Sequence, residues 1–310
     1  MTRPIGFGSC ALSVLVWAPS AWGAEGAGSP PVAWWVWPSA LFVVTFLLGI
    51  VAVVAGLGGG TVYVPIVSGF FPFHLDFVRG AGLLVALAGA LAAGPDLLER
   101  RLADFRLALP VALVASAFAV VGALAGLALP TRLVQTGLGV IIIGIVVALL
   151  IARRSDFPRV THADRLARAL GISGAYHEPS LDADVAWTVH RTWRGLLLFV
   201  LIGLLAGMFG IGAGWANVAV LNLVMGAPLK VAVGTSIFLL SITDTSAAWV
   251  YLNQGAMLPM VVVPSVVGMM LGSRVGVRVL ERARPRTVRW AIIVLLLFAG
   301  VRAFLKGLGV

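Results

Sequence analysis

Eight long apolar runs, at about 38 to 71, 77 to 98, 107 to 129, 133 to 152, 195 to 228, 231 to 250, 258 to 280 and 288 to 305, leave this 310-residue chain few folds to choose from. A helix that crosses a bilayer needs about 20 apolar residues, and every run is near or above that length. Charged residues make up 11% of the chain and mean hydropathy is +1.05, where a soluble domain carries about 25% charged residues. That composition excludes a cytosolic globule, a disordered chain and a disulfide scaffold. The expected fold is an all-α polytopic membrane protein with about eight transmembrane segments. The single cysteine, Cys10, precludes an internal disulfide, and no Cys/His spacing suits zinc or an iron–sulfur cluster. The net charge of +10 sits mostly in short gaps between apolar runs, which is a topology signal and not a nucleic-acid-binding stripe.

Residues 1 to 23 have the layout of a secretory signal: Arg3, an apolar run from Cys10 to Ala18, then Pro19 and Ala21-Trp22-Gly23. The segment is either a signal peptide cleaved after Gly23 or a retained signal anchor. Both place Glu25 to Trp37 outside, with Trp34, Trp35 and Trp37 as an aromatic belt at the outer interface.

The first and fifth runs are each about 34 residues, too long for one crossing, since a continuous helix of that length reaches about 50 Å against a hydrocarbon core of about 30 Å. Glycines interrupt both at the same relative place: Gly56-Leu57-Gly58-Gly59-Gly60 and Gly210-Ile211-Gly212-Ala213-Gly214. Such density weakens a helix interior, so each run is read as a broken helix. The two halves align at a constant offset of 154, with Leu75 over Leu229, Gly80 over Gly234 and Pro110 over Pro264. This predicts two four-element repeats, at 38 to 152 and 195 to 310, joined by a loop from 153 to 194. If each broken helix returns to its own side, that arginine-rich loop, Arg100, Arg101, Arg106 and the 282 to 289 arginines are all cytoplasmic, and Gln254 is outside. Arg79, Arg132, Arg302 and Lys306 remain outside. Each repeat then crosses an odd number of times, so the second is inverted relative to the first, with a site near the midplane where broken helices meet.

Gly56-Leu57-Gly58-Gly59-Gly60 followed by Val64-Pro65, together with Val233-Gly234-Thr235-Ser236 after Pro228, resembles the TauE/SafE family of sulfite and organosulfonate exporters. The resemblance covers about 38 to 152 and 195 to 305. It departs where Arg79-Gly80-Ala81-Gly82 stands in the place of Val-Gly-Thr-Ser, and where Ala213 and Ala219 replace the Gly59 and Pro65 of the first half. It implies a multi-pass protein of a bacterial-type inner membrane that exports small sulfur-containing oxyanions.

A helix that starts after a glycine break offers unsatisfied N–H groups and about half a positive charge, which suits an oxyanion in a dry setting. Gly58, Gly59, Gly60 and Thr61 supply this in the first half, with Pro65 near the first turn of the resuming helix; Gly212, Gly214, Trp215 and Asn217 supply it in the second. The alternative is that the glycines serve only close helix packing. Thr235 and Ser236 add hydroxyls, or else bond back to their own helix. Asp244 lies farthest from any basic loop, so it is a proton-coupling candidate, a protonated acid or a structural anchor held by Thr243 and Thr245. His162, His177, Glu178, Asp182, Asp184 and His190 match no metal geometry and fit a solvated loop with a short helix near 163 to 170.

The expected partners are a small anionic substrate and the lipid bilayer. No cofactor is called for, and the oligomeric state stays open, a homodimer among the options. The membrane segments hold no His-Glu-x-x-His, no Gly-x-Ser-x-Gly and no paired acids, so an enzyme is not expected. A proton-coupled carrier of another organic anion and a structural membrane subunit are the competing readings.

Overall fold

The computed structural model describes residues 33, 35–55, 59–99, 103–151, 163–178, 183–280 and 285–309. The 1 to 23 signal segment, Trp34 and Gly58 lie outside the described residues. Trp37 to Val310 form one compact unit.

Every apolar run becomes helix. The first splits into α1 (Val36–Ala55) and α2 (Gly59–Phe70), and α3 (Leu75–Glu99), α4 (Phe105–Ala128) and α5 (Thr131–Ile151) follow. The fifth run splits into α7 (Thr192–Phe209) and α8 (Gly214–Ala219), which continues into a π-helical turn at Val220–Val224; α9 (Leu229–Asn253), α10 (Pro259–Leu280) and α11 (Pro285–Leu308) complete the chain. Among the described residues, five helices are long and apolar enough to cross a membrane: those at Leu75–Ala92, Phe105–Ala128, Thr192–Phe209, Leu229–Asn253 and Pro259–Gly276. The apolar stretches Val36–Ala52 and Thr131–Val147 are shorter. Large apolar side chains such as Leu113, Leu133 and Trp249 are exposed on the outer faces, as bilayer contact requires.

Boundaries of the elements follow the sequence offset. Leu75–Glu99 and Leu229–Asn253 start and finish 154 residues apart. Packing follows it too, in an exchanged form. Gly49 of α1 lies against the Met269 carbonyl of α10, and its equivalent Gly203 of α7 lies against the Ala115 carbonyl of α4. Gly122 of α4 meets Leu204 of α7, and Gly276 of α10 meets Ile50 of α1. Each contact becomes the other when the two halves are swapped. Several other pairs obey the same rule: α3 packs on α9, α5 on α11, and α4 on α9 as α10 does on α3. Glycine allows these approaches because a Cβ would fall on the opposing backbone.

The loop between the halves is built, not merely solvated. Asp164 caps the short helix α6 (Arg165–Ala169) by accepting from the Ala167 N–H at 3.0 Å. A hairpin follows, with β1 (Ser173–Glu178) antiparallel to β2 (Ala183–Thr188), Ser173 opposite Thr188. Ala167, Ile172, Trp187 and Val189 are buried with Leu107 and Val111 of α4 and with Leu221 and Met225. Asp164 also accepts from the Thr192 N–H (2.9 Å) and hydroxyl (2.8 Å), tying the loop to the start of α7.

Candidate functional site

At the second break the chain turns through two glycines in the left-handed region, Gly210 (φ +66) and Gly212 (φ +59). Gly210 closes α7 by donating its N–H to the Ala206 carbonyl at 2.9 Å, the usual role of a left-handed glycine past a helix end. The first turn of α2 lies on this bend. Thr61 Oγ1 donates to the carbonyls of Ile211 (3.1 Å) and Gly212 (3.3 Å). A Cβ on Gly60 would sit 2.8 Å from the carbonyl oxygens of both Ile211 and Gly82. The described end of the first glycine cluster, Gly59 and Gly60, therefore lies beside the second cluster in space.

The sequence-predicted residues divide between that place and its surroundings. Gly59, Gly60 and Thr61 are buried in the opening turn of α2. Gly59 faces the thioether of Met269, so its missing side chain is replaced by a neighbour that can move. Gly212 faces Ala86 of α3 and Asp244 and Leu240 of α9. Gly214 opens α8 and its carbonyl accepts from Ser236 Oγ at 3.1 Å. Asn217 is buried in the same helix. Thr235 lies elsewhere: its hydroxyl accepts from the Asp104 N–H (3.3 Å), at the N-cap of α4. Neither hydroxyl bonds back to its own helix.

Pro65 is the seventh residue of α2, not part of its first turn. It has no N–H for the Thr61 carbonyl four residues earlier, so α2 leaves one more polar group without its helical partner close to the bend. Tyr63, fully buried, shares a hydrogen bond with Ser265 of α10 at 3.1 Å.

Asp244 is 1% exposed, and among the described residues neither carboxyl oxygen has a hydrogen-bond partner. Thr243 and Thr245 do not anchor it, since their hydroxyls donate to the carbonyls of Leu239 (2.9 Å) and Ser241 (2.6 Å) on their own helix. A Cβ on Gly212 would lie 3.3 Å from Asp244 Oδ2 and 2.9 Å from the Ala86 Cβ. The acid thus points at the glycine bend from an otherwise apolar wall.

Arg79, expected on the outer side, is 1% exposed inside the bundle. Its guanidinium pairs with Asp76 and donates to the carbonyls of Gly126 (3.1 Å) and Met208 (2.8 Å), near the ends of α4 and α7. It also lies 5.7 Å from the ring centroid of Tyr251, whose hydroxyl donates to Gly207 O at 3.0 Å. A cation at two helix C-termini complements their partial negative charge. The Asp76 to Arg79 spacing inside an apolar run was the signal available for it.

Among the described residues no group of three or more His, Cys, Asp or Glu side chains is placed to hold a metal. Residues 41 to 303 match the family model of the sulfite exporter TauE/SafE. The chain is 22% identical over 278 residues to a probable membrane transporter protein, YunE, of Bacillus subtilis (strain 168), covering 86% of this chain and 98% of that one. No solved structure matches. The chain is a multi-pass membrane protein and belongs to the TauE/SafE sulfite exporter family, whose members are membrane transporters and not enzymes.

Proposed function

We propose that the protein exports small sulfur-containing oxyanions, sulfite or organosulfonates, across an inner membrane, through a site where the opening turns of α2 and α8 meet. The observation that carries this reading is the convergence of the two breaks, with Thr61 on the Ile211 and Gly212 carbonyls and Gly60 against the same strand of backbone. Gly59, Gly60 and Thr61 present first-turn N–H groups there, and Gly212, Gly214 and Asn217 line the opposite side. Gly58, Thr235 and Ser236 complete the proposed set, Ser236 by positioning Gly214 and Thr235 by holding the α4 start. In this reading eight membrane elements form two inverted repeats, and the exchanged contacts between halves support it. With the inside negative, each net negative charge gains about 2.3 kcal/mol per 100 mV on leaving.

Efflux of radiolabelled sulfite and taurine from proteoliposomes under an imposed potential tests the proposal. Wild-type protein should release sulfite faster than protein-free liposomes, and a Gly60→Val variant that melts normally should not. Wild-type efflux of both compounds at the protein-free rate would refute it.

A further inference from the structure

We propose that Asp244 makes a proton an obligatory companion of the bound anion, so that the site takes an oxyanion only when this acid is neutral. The inference rests on the site reading above and adds to it the identity of a second ligand. Asp244 is buried at the middle of α9, its oxygens have no partner among the described residues, and Oδ2 is directed at the Gly212 bend. An anion held by the α2 and α8 opening turns would share that dry space with a carboxylate. Two negative charges within about 5 Å repel by several kcal/mol at the effective dielectric of a protein interior. One proton on Asp244 removes the repulsion and supplies an O–H donor to the oxyanion.

A proton fits this position better than a metal cation. Sodium needs several oxygen ligands, whereas the other two atoms nearest the point on the Gly212 bend that Asp244 Oδ2 faces are apolar, Ala86 Cβ and Leu240 Cδ2. The described titratable groups on the elements packed against α9 lie elsewhere. On α3, Asp76 and Arg79 pair with each other, while the side chains of Asp96 and Glu99 lie outside the described set. On α4, Asp104 caps its own helix and Arg106 donates to Gly171 O; α7 carries Arg194 in its opening turn, and α8 has no charged residue. Among the described residues the ion pairs are those of Asp76 with His74 and Arg79, so none neutralises Asp244. The transported load then carries one negative charge fewer than the free anion. A dianion still gains from the membrane potential, and a monoanion moves without net charge.

Methanesulfonate tests this, because its charge is constant between pH 5 and 9. Its affinity for purified wild-type protein, read from thermal stabilisation at increasing concentration, should weaken as pH rises, by up to about tenfold per pH unit, the limit for one linked proton. Mixing the two in weak buffer with a pH dye should show proton uptake. Asp244→Asn should bind with pH-independent affinity, and without the proton uptake. A flat wild-type profile with no proton uptake would overturn the inference while leaving the site reading intact. So would an unchanged slope in a well-folded Asp244→Asn, or a dependence on sodium in place of pH. Absence of stabilisation by methanesulfonate and by sulfite at every pH, in protein that melts normally, would instead remove the site reading and this inference with it. The dye measurement needs no variant, so a misfolded Asp244→Asn does not leave the question open.

Discussion

Of the charged side chains that break the equivalence between the halves, two are buried among the described residues: Arg79 stands where the second half has Val233, and Asp244 where the first has Ala90. They have opposite surroundings. Arg79 bonds one carboxylate and two carbonyls and leaves only its Nε unpaired, whereas Asp244 has no partner among the described residues. Arg79 is therefore a structural clamp. Arg79→Met should lower unfolding free energy by about 3 kcal/mol, since it strands the acceptors that Arg79 now satisfies. Asp76→Asn should cost about 1 kcal/mol or less, because Asp76 is partly exposed and the carbonyl contacts persist. Denaturation in detergent micelles would check the order, and equal losses would assign the clamp to the ion pair instead of the carbonyls.

Among the elements, the broken helices were legible in the sequence because glycine density at 56 to 60 and 210 to 214 interrupts helices that are otherwise too long. The starts of α3 and α9 were legible from the leucine and glycine register. The π-helical turn at Val220–Val224, where Met225 N–H reaches back to Val220 O and the Asn222 amide donates to Ala227 O, was not, since no glycine or proline within it marks the place. Nor was the β-hairpin, whose first strand, Ser173–Glu178, shows no clear apolar alternation, while its flanking Ile172 and the Trp187 of the second strand are buried against α4. The convergence of Thr61 with the Gly212 bend was out of reach as well, because spacing within each half says nothing about which break faces which. Asp164 holds this loop in place. Burial works to raise its pKa, but hydrogen bonds from Thr192 and Ala167 outweigh that and leave it below the usual carboxylate range. A lowered folded value means the stabilisation is present above the unfolded value and is lost as pH falls through the folded one. Asp164→Ala should thus weaken the α6 cap by about 1 kcal/mol at neutral pH. Tryptic cleavage at the exposed Arg165 and Arg168 should speed up in the variant at neutral pH, and the stability difference from wild type, read by thermal unfolding, should shrink as pH falls through the folded pKa of Asp164.

At the scale of the whole molecule, the proposed inversion makes a sidedness claim that labelling can settle. Gly174 presses on the Trp187 ring, so Ser173, which is exposed, is the better reporter for the loop; Gln254 is exposed between α9 and α10. On a Cys10→Ser background, an impermeant maleimide added to intact cells should label Gln254→Cys and spare Ser173→Cys. The reverse pattern would discard the inverted arrangement.

The exchanged pairing of α1 with α10 and α7 with α4 also constrains how the protein is made. Gly49 meets its partner Met269 only after about 220 further residues have been added, which at about 5–20 residues per second takes about 10–45 s. During that interval the glycine groove of α1 has no partner but lipid or another chain. A pause, truncation or destabilised α10 should therefore expose the first half to capture by insertion chaperones or membrane proteases, even though every residue of that half is intact.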